Sequence, residues 1–329
     1  MIAIEIPAMK STERQFPVLV SQAFIEVMKQ VDHVADTNLP VLLTGEAGTG
    51  KEFIASKIHH RSSRRGRPFV TVDCSAIPAE SIETKLFGHA AEPFAEAGGD
   101  RPGLWEEADG GTIFLGHITE TTASFQAQLL RAMQTGESRR VGSDQAQRVD
   151  VRVIAASDRN VEQAVAEGKF LDELFHYLSV ASIALPPLRE RPEDITPLAQ
   201  SFADRIYSLR PSVKFSNEAL ALLRQYPWPG NIRELENAVV RAVAMCDGTI
   251  TVKDLPEALR NEAASDDWVT LSVIEGRYVA RVLEHTGGNK QAAARLLAVD
   301  RKTLDRMIKR HHIDSQHVKA LRAKASARN

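Results

Sequence analysis

Apolar and polar positions fall into two regimes along the chain. As far as about residue 185, short apolar runs alternate with longer amphipathic stretches. Val41-Leu42-Leu43-Thr44, Phe69–Asp73, Gly111–Leu115 and Val151–Ala156 read as buried strands, with Ser182–Leu185 as a fifth. Between them, Ser21–Ala35 carries Phe24, Val27, Met28 and Val31 on one helical face, and Ser124–Gly136 turns Leu129, Leu130 and Met133 inward. Strands alternating with helices predict an α/β fold, a parallel sheet covered on both faces. Beyond Pro186-Pro187 only helical spacing remains: Pro197–Ser208, Asn217–Gln225 and Asn231–Cys246 predict a small bundle. Residues 260–269 read as a linker. Val273–Thr286, with Ile274, Val279, Val282 and Leu283, opens an all-α terminal segment. The first 20 residues are weakly patterned, and no internal repeat is present.

The first strand feeds Gly45-Glu46-Ala47-Gly48-Thr49-Gly50-Lys51-Glu52 and then a helix. The three glycines let successive backbone N–H groups and the helix N-terminus converge on one anion. Lys51 reaches the outer phosphates of a nucleotide in such a loop, whereas Glu52 replaces the Ser or Thr that commonly binds magnesium. The expected ligand is ATP or ADP, with or without Mg²⁺. An ordinary Gly-rich turn before a helix has no need of strand, turn, lysine and helix in that order.

Composition narrows the class. A chain of 329 residues with 43% hydrophobic and 26% charged side chains has the make-up of a soluble globular protein of two or three domains. No apolar run reaches membrane-spanning length and no signal-peptide layout opens the chain, so a cytoplasmic protein with no membrane partner is expected. Cys74 and Cys246 offer neither a disulfide framework nor metal-ligand spacing. The net charge of −2 conceals an asymmetry: residues 270–329 hold 13 Lys and Arg against 5 Asp and Glu, +8, which leaves −10 on the first 269 residues. Only the tail is suited to nucleic acid.

In that tail, Gly287-Gly288 breaks a helix and Asn289 caps Lys290–Leu297. The turn Ala298-Val299-Asp300 leads to a second helix, Arg301–His311. Two short helices joined by a three-residue turn, with Ala292 and Ala293 allowing a close crossing, predict a helix-turn-helix. Asp300 caps the recognition helix; Arg301, Lys302, Thr303, Arg306 and Lys309, with Asn289 and Lys290 before them, are the expected contacts to double-stranded DNA. One such motif reads a short half-site, so a dimer through Val273–Thr286 on an inverted repeat is expected.

The chain resembles the bacterial sigma-54-dependent transcriptional activators, also called enhancer-binding proteins, through an AAA+ ATPase domain and a Fis-type helix-turn-helix. The resemblance rests on Gly45–Glu52, Leu86-Phe87-Gly88-His89, Ala108–Leu115, Leu185–Arg191, Trp228–Asn237 and Thr286–Lys290, and covers about residues 18–313. It implies an AAA+ α/β subdomain over residues 1–188, a helical lid over 189–259 and a DNA-binding domain over 270–329. It also implies Arg233 as a sensor of the γ-phosphate and assembly into higher AAA+ oligomers.

Several of the family's working residues are replaced. The strand after Gly111-Thr112 should end in Asp-Glu, the first acting on magnesium and the second polarising water; here Gly116 and His117 stand there. Asp73 replaces the Asn that tunes that Glu, and Ala156-Ser157-Asp158 replaces a sensor strand ending Ala-Thr-Asn. The two arginines that enter a neighbouring subunit's nucleotide site fall at Leu171 and Tyr177. The loop that touches sigma-54, Gly-Ala-Phe-Thr-Gly-Ala in the family, reads Glu92-Pro93-Phe94-Ala95-Glu96-Ala97. A lost general base costs on the order of 10²–10⁴ in rate, and a lost arginine finger on the order of 10³–10⁵. The expectation is a DNA-binding regulator whose AAA+ domain binds ATP with weak or no hydrolysis, the departures arguing against sigma-54 polymerase as partner. The alternative is a working ATP-hydrolysing sigma-54 activator.

Overall fold

Five of the apolar runs pair into one parallel sheet in a computed structural model of the chain. The structure describes residues 19–90, 101–143, 145–206, 213–262, 271–311 and 313, and divides into two units, residues 1–263 and 264–329. Strands β1 (Val41–Thr44), β2 (Phe69–Asp73) and β3 (Thr112–Gly116) are followed by a small antiparallel hairpin of β4 (Glu137–Arg139) and β5 (Ala146–Arg148). Strands β6 (Arg152–Ser157) and β7 (Ala181–Ala184) complete the sheet in the order β2-β3-β6-β1-β7. Every residue of β3 and β6 is buried, as expected of parallel strands covered on both faces.

Alternation along the strands sorts the two layers. Val41, Leu43, Phe114, Ile154 and Ala156 face α1 (Gln22–Ala35) and α2 (Lys51–Arg61), packing with Phe24, Val31, Ile54 and Ile58. Leu42, Ile113, Leu115, Val153 and Ala155 face the opposite layer. That layer comprises α3 (Ile82–Phe87), α4 (Leu104–Glu107), α5 (Ala123–Thr135), α6 (Val161–Ala166) and α7 (Asp172–Leu178). Arg152, at the start of β6, donates to the carbonyls of Val34, Ala35 and Leu39, satisfying the C-terminal end of α1.

The lid has its own core. Helices α8 (Ile195–Ile206), α9 (Asn217–Gln225), α10 (Asn231–Met245) and α11 (Glu257–Glu262) bury Leu198, Phe202, Leu223, Leu235 and Val239 around Trp228, whose Nε1 donates to Leu223 O at 2.7 Å. A two-residue parallel pair, β8 (Lys214–Phe215) and β9 (Thr249–Ile250), closes one end. Buried Asp194 accepts bonds from Val20 N, Ser21 N and Ser21 Oγ, which fastens the start of α1 to the lid.

The second unit is three helices: α12 (Leu271–His285), α13 (Lys290–Leu296) and α14 (Arg301–Arg310). Val279 and Leu283 meet Ala293, Ala294, Leu304 and Ile308 in its core. Two expectations change here. Residues 260–262, read as linker, complete α11, and residues 263–270 lie outside the described residues. The apolar face of α12, read as the dimer contact, is spent inside this core: Val279 and Leu283 are each 1% exposed, while Tyr278 on the other side is 57% exposed. The sigma-54-contact positions Glu92–Ala97 lie outside the described residues.

Candidate functional site

Four strands end at one rim of the sheet. Register pairs Asp73 with Gly116 and Thr44 with both Ser157 and Ala184, so the loops after β1, β2, β3 and β6 share the C-terminal edge where open α/β sheets take ligands. Out of β1 comes the Gly45–Lys51 loop. Gly48 has φ 78° and a Cβ there would lie 2.3 Å from Gly230 O and 3.2 Å from Arg233 Cβ, so only glycine fits. Gly50, in left-handed conformation, precedes α2 and no side chain caps that helix, which leaves its first N–H groups for an anion. Lys51 Nζ donates to Gly45 O and Glu46 O at 2.6 and 2.9 Å, and burial lowers its pKa. Thr49 is buried, with Oγ1 donating to Glu46 O at 2.9 Å, while Glu52 is exposed on the first turn of α2.

The lid closes over this loop through residues the sequence reading passed over. Asn231, fully buried at φ 53°, donates from Nδ2 to Ala47 O (3.0 Å) and Glu46 Oε2 (3.1 Å) and accepts from Leu188 N (2.7 Å). Ile232 N donates to Gly48 O at 2.9 Å. Arg189 forms a bidentate pair with Glu46, which together with the Asn231 bond lowers the Glu46 pKa to about 2. The Glu46 side chain therefore holds the lid, and only the loop backbone there is left for phosphate. Arg233 is exposed in the first turn of α10 beside Gly48, close enough to Lys51 to depress its pKa. The one sequence-level hint of Asn231 was its residue type, since Asn tolerates a left-handed backbone.

At the β3 end, Gly116 brings no donor. His117 adopts φ 54° and its Nδ1 donates to Asp73 Oδ1 at 2.9 Å; its Nε2 lies 3.9 Å from Asp158 Oδ2. Ser75 N and Oγ also donate to Asp73 Oδ1. Despite its partial desolvation, the Asp73 carboxyl lies below its usual range, lowered by the Ser75 and His117 bonds. The family's magnesium arrangement does not fit: the carboxylates sit on the flanking strands and an imidazole stands between them.

The other replaced positions do not form part of this rim. Leu171 N donates to Gln126 Oε1 at the start of α7, leaving its side chain 36% exposed. Tyr177 packs against the core and donates its hydroxyl to Met133 O at 3.1 Å.

In the second unit, Asp300 caps α14, accepting from Thr303 N and from Thr303 Oγ1 at 2.6 Å, so the Thr303 hydroxyl is committed to the cap. Asn289 caps α13, and Lys290 pairs with Asp305 at 2.7 Å, joining the two helices. Those three expected DNA contacts thus have internal duties. Lys302, Arg306 and Lys309 are exposed at spacings of four and three, opposite buried Leu304 and Ile308, and Arg301 is exposed at the helix start.

Together, sheet, loop and lid define an AAA+ P-loop NTPase fold, followed by a helix-turn-helix unit. Family models match residues 18–184 as a sigma-54 interaction domain, 189–270 as an AAA+ ATPase lid domain and 270–311 as a Fis-family bacterial regulatory protein. The chain belongs to the sigma-54-dependent transcriptional activator family. It is 42% identical over 290 residues to the Nif-specific regulatory protein of Klebsiella pneumoniae, covering 85% of this chain and 55% of that protein. It is 42% identical to the transcriptional regulatory protein ZraR of Klebsiella oxytoca, covering 91% of this chain and 70% of that one. NtrX from Brucella abortus in complex with ATP superposes with a TM-score of 0.70 at 32% identity, covering 92% of this chain and 70% of that one. The chain spans about half the length of the Nif relative. Among the described residues, no helix is long and apolar enough to cross a membrane.

Proposed function

We propose that the protein is a sequence-specific DNA-binding transcriptional regulator whose AAA+ domain binds ATP or ADP, hydrolyses it weakly at most, and does not remodel sigma-54 polymerase. The observation that carries this reading is the end of β3, where Gly116 and His117 stand in place of both hydrolytic carboxylates while the uncapped α2 N-terminus, Lys51 and Arg233 remain beside one another. Amides and cations are enough to bind phosphate; turnover needs the missing base and metal ligand. Nucleotide binding is further supported by NtrX, which has been solved with ATP and with ADP. Leu171 and Tyr177, at the places where the family's arginines would reach a neighbour, supply no charge to a second subunit's phosphates. The substituted loop Glu92–Ala97 supports the absence of sigma-54 remodelling.

DNA binding is supported by the basic face of α14 and the Fis-family match. Pairing of two copies on an inverted repeat would use the outward side of α12, where Tyr278 lies, since the inward side is already filled. Phosphate release by the purified protein with ATP and Mg²⁺ tests the enzymatic half. Background-level release with measurable ATP binding is expected; robust Mg²⁺-dependent turnover would instead favour a working sigma-54 activator.

A further inference from the structure

We propose that His117 Nε2 and Asp158 Oδ2 form half of a metal site, completed by nucleotide phosphates, that takes a divalent transition ion such as Mn²⁺ in preference to Mg²⁺. The inference rests on the nucleotide reading above. Asp73 accepts the Nδ1 proton of His117, so in the neutral ring it is Nε2 that offers a lone pair, on the side of Asp158. A carboxylate behind an imidazole whose other nitrogen is free is the arrangement that orients a metal-ligating histidine.

The gap is near that between two ligands of one ion. Metal–ligand bonds of about 2.1 Å place two donors roughly 3.0 Å apart at a right angle and roughly 3.4 Å apart at a tetrahedral one, so an ion would draw this pair together by about 0.5 Å. Nε2 and Oδ2 stand 3.9 Å apart, too far for a hydrogen bond. A second observation bears on the other oxygen of the same carboxylate: Asp158 Oδ1 is buried and has no hydrogen-bond donor, so Lys51 offsets this charge only through space and a bound cation would offset it further. Lys51 lies near enough to feel the Asp158 charge, so the half-site borders the phosphate loop. His117 also holds a left-handed backbone that a non-glycine residue adopts at some cost, as strained residues at ligand sites do.

Among the described residues, no three histidine, cysteine or carboxylate side chains converge on one point. The ion therefore needs phosphate oxygens and arrives with the nucleotide. Replacing an all-oxygen set by a mixed nitrogen and oxygen set moves preference away from Mg²⁺ towards first-row transition ions.

The test is calorimetric titration of the full chain with ATP in EDTA, in Mg²⁺ and in Mn²⁺, with pulsed EPR of the Mn²⁺–ATP complex. ATP binding about 10-fold or more tighter in Mn²⁺ than in Mg²⁺ is expected, with coupling of the manganese to one imidazole nitrogen. His117→Gly, which suits the left-handed backbone, should abolish both the coupling and the preference. His117→Asn serves the same purpose should the glycine variant fail to fold. Asp73→Asn should weaken the Mn²⁺ effect by roughly 10-fold or more while keeping the coupling. Equal affinity in the two metals, or nitrogen coupling that survives in His117→Gly, would overturn the inference with the nucleotide reading intact. Failure of ATP to bind in all three buffers would overturn both.

Discussion

Asn231 Nδ2 donates to Ala47 O at 3.0 Å, joining the first residue of α10 to a phosphate-loop residue 184 positions earlier. The same side chain accepts from Leu188 N, so one buried amide binds the phosphate loop, the turn that leads into the lid, and α10 together. Asn231→Ala leaves the Leu188 N–H without its acceptor and forces alanine into a left-handed backbone. A loss of about 2–4 kcal/mol in urea unfolding is expected; a change below about 0.5 kcal/mol, the range of an uninvolved surface site, would show the junction to be unimportant.

Lys51 is the single cation inside the loop, and Gly48 lets the loop pass under Gly230. Lys51→Ala should abolish ATP binding measured by calorimetry while the fold persists. Gly48→Ala places a methyl 2.3 Å from Gly230 O and should disrupt the lid contact as well. Wild-type affinity in Lys51→Ala would place the nucleotide elsewhere.

The resemblance to the sigma-54 activators assigns the sigma-54 contact to a loop with a phenylalanine between small residues. Here Pro93 fixes a backbone angle and Glu92 and Glu96 add charge beside Phe94. No complex with sigma-54 should co-elute on gel filtration, even with a transition-state analogue of ATP. Co-elution would show that the substituted loop still docks.

Arg301 and Lys302 stand at the start of α14, where a recognition helix enters the major groove, and Lys309 stands at its far end. Arg301→Ala or Lys302→Ala should cost about 1–3 kcal/mol and erase discrimination between operator and random DNA. Lys309→Ala should weaken all sequences alike and lower the salt slope by about one. A footprint on an inverted repeat, with half-sites one helical turn apart, checks the dimeric mode. Unchanged discrimination in both N-terminal variants would remove α14 as the reading helix.

His59, 2% exposed on α2, contacts Thr112 Oγ1 at 3.0 Å, and burial followed by the neighbouring His60 lowers its pKa to about 4. Its folded value lies below its unfolded value near 6.5, so the stabilising effect is complete above that and is lost as pH falls towards 4. A loss on the order of 3 kcal/mol across this window is expected from urea melts at stepped pH. His59→Leu should flatten that slope and, by stranding the Thr112 hydroxyl, cost about 1–3 kcal/mol at pH 7. A slope that survives the substitution would assign it to other groups.

The five strands of the main sheet, the phosphate loop and the recognition helix were legible in the sequence because each is written locally, whereas the short pairs β4–β5 and β8–β9 were not. β2 spans Phe69–Asp73 as its apolar run does, and Asp300 caps α14 three residues before its partner N–H. Glycine spacing before Lys51 encodes a backbone shape without help from elsewhere in the chain. Tertiary structure decided what distant residues do to one another. It spent the apolar side of α12 on an internal core, paired Lys290 with Asp305, and turned Glu46 towards Arg189. It also brought Asp73, His117 and Asp158 together from the ends of three strands. Periodicity marks which face of an element is apolar but not what covers it, and strand order and register set which side chains meet. Those pairings close across tens to nearly two hundred residues, where no local pattern reaches.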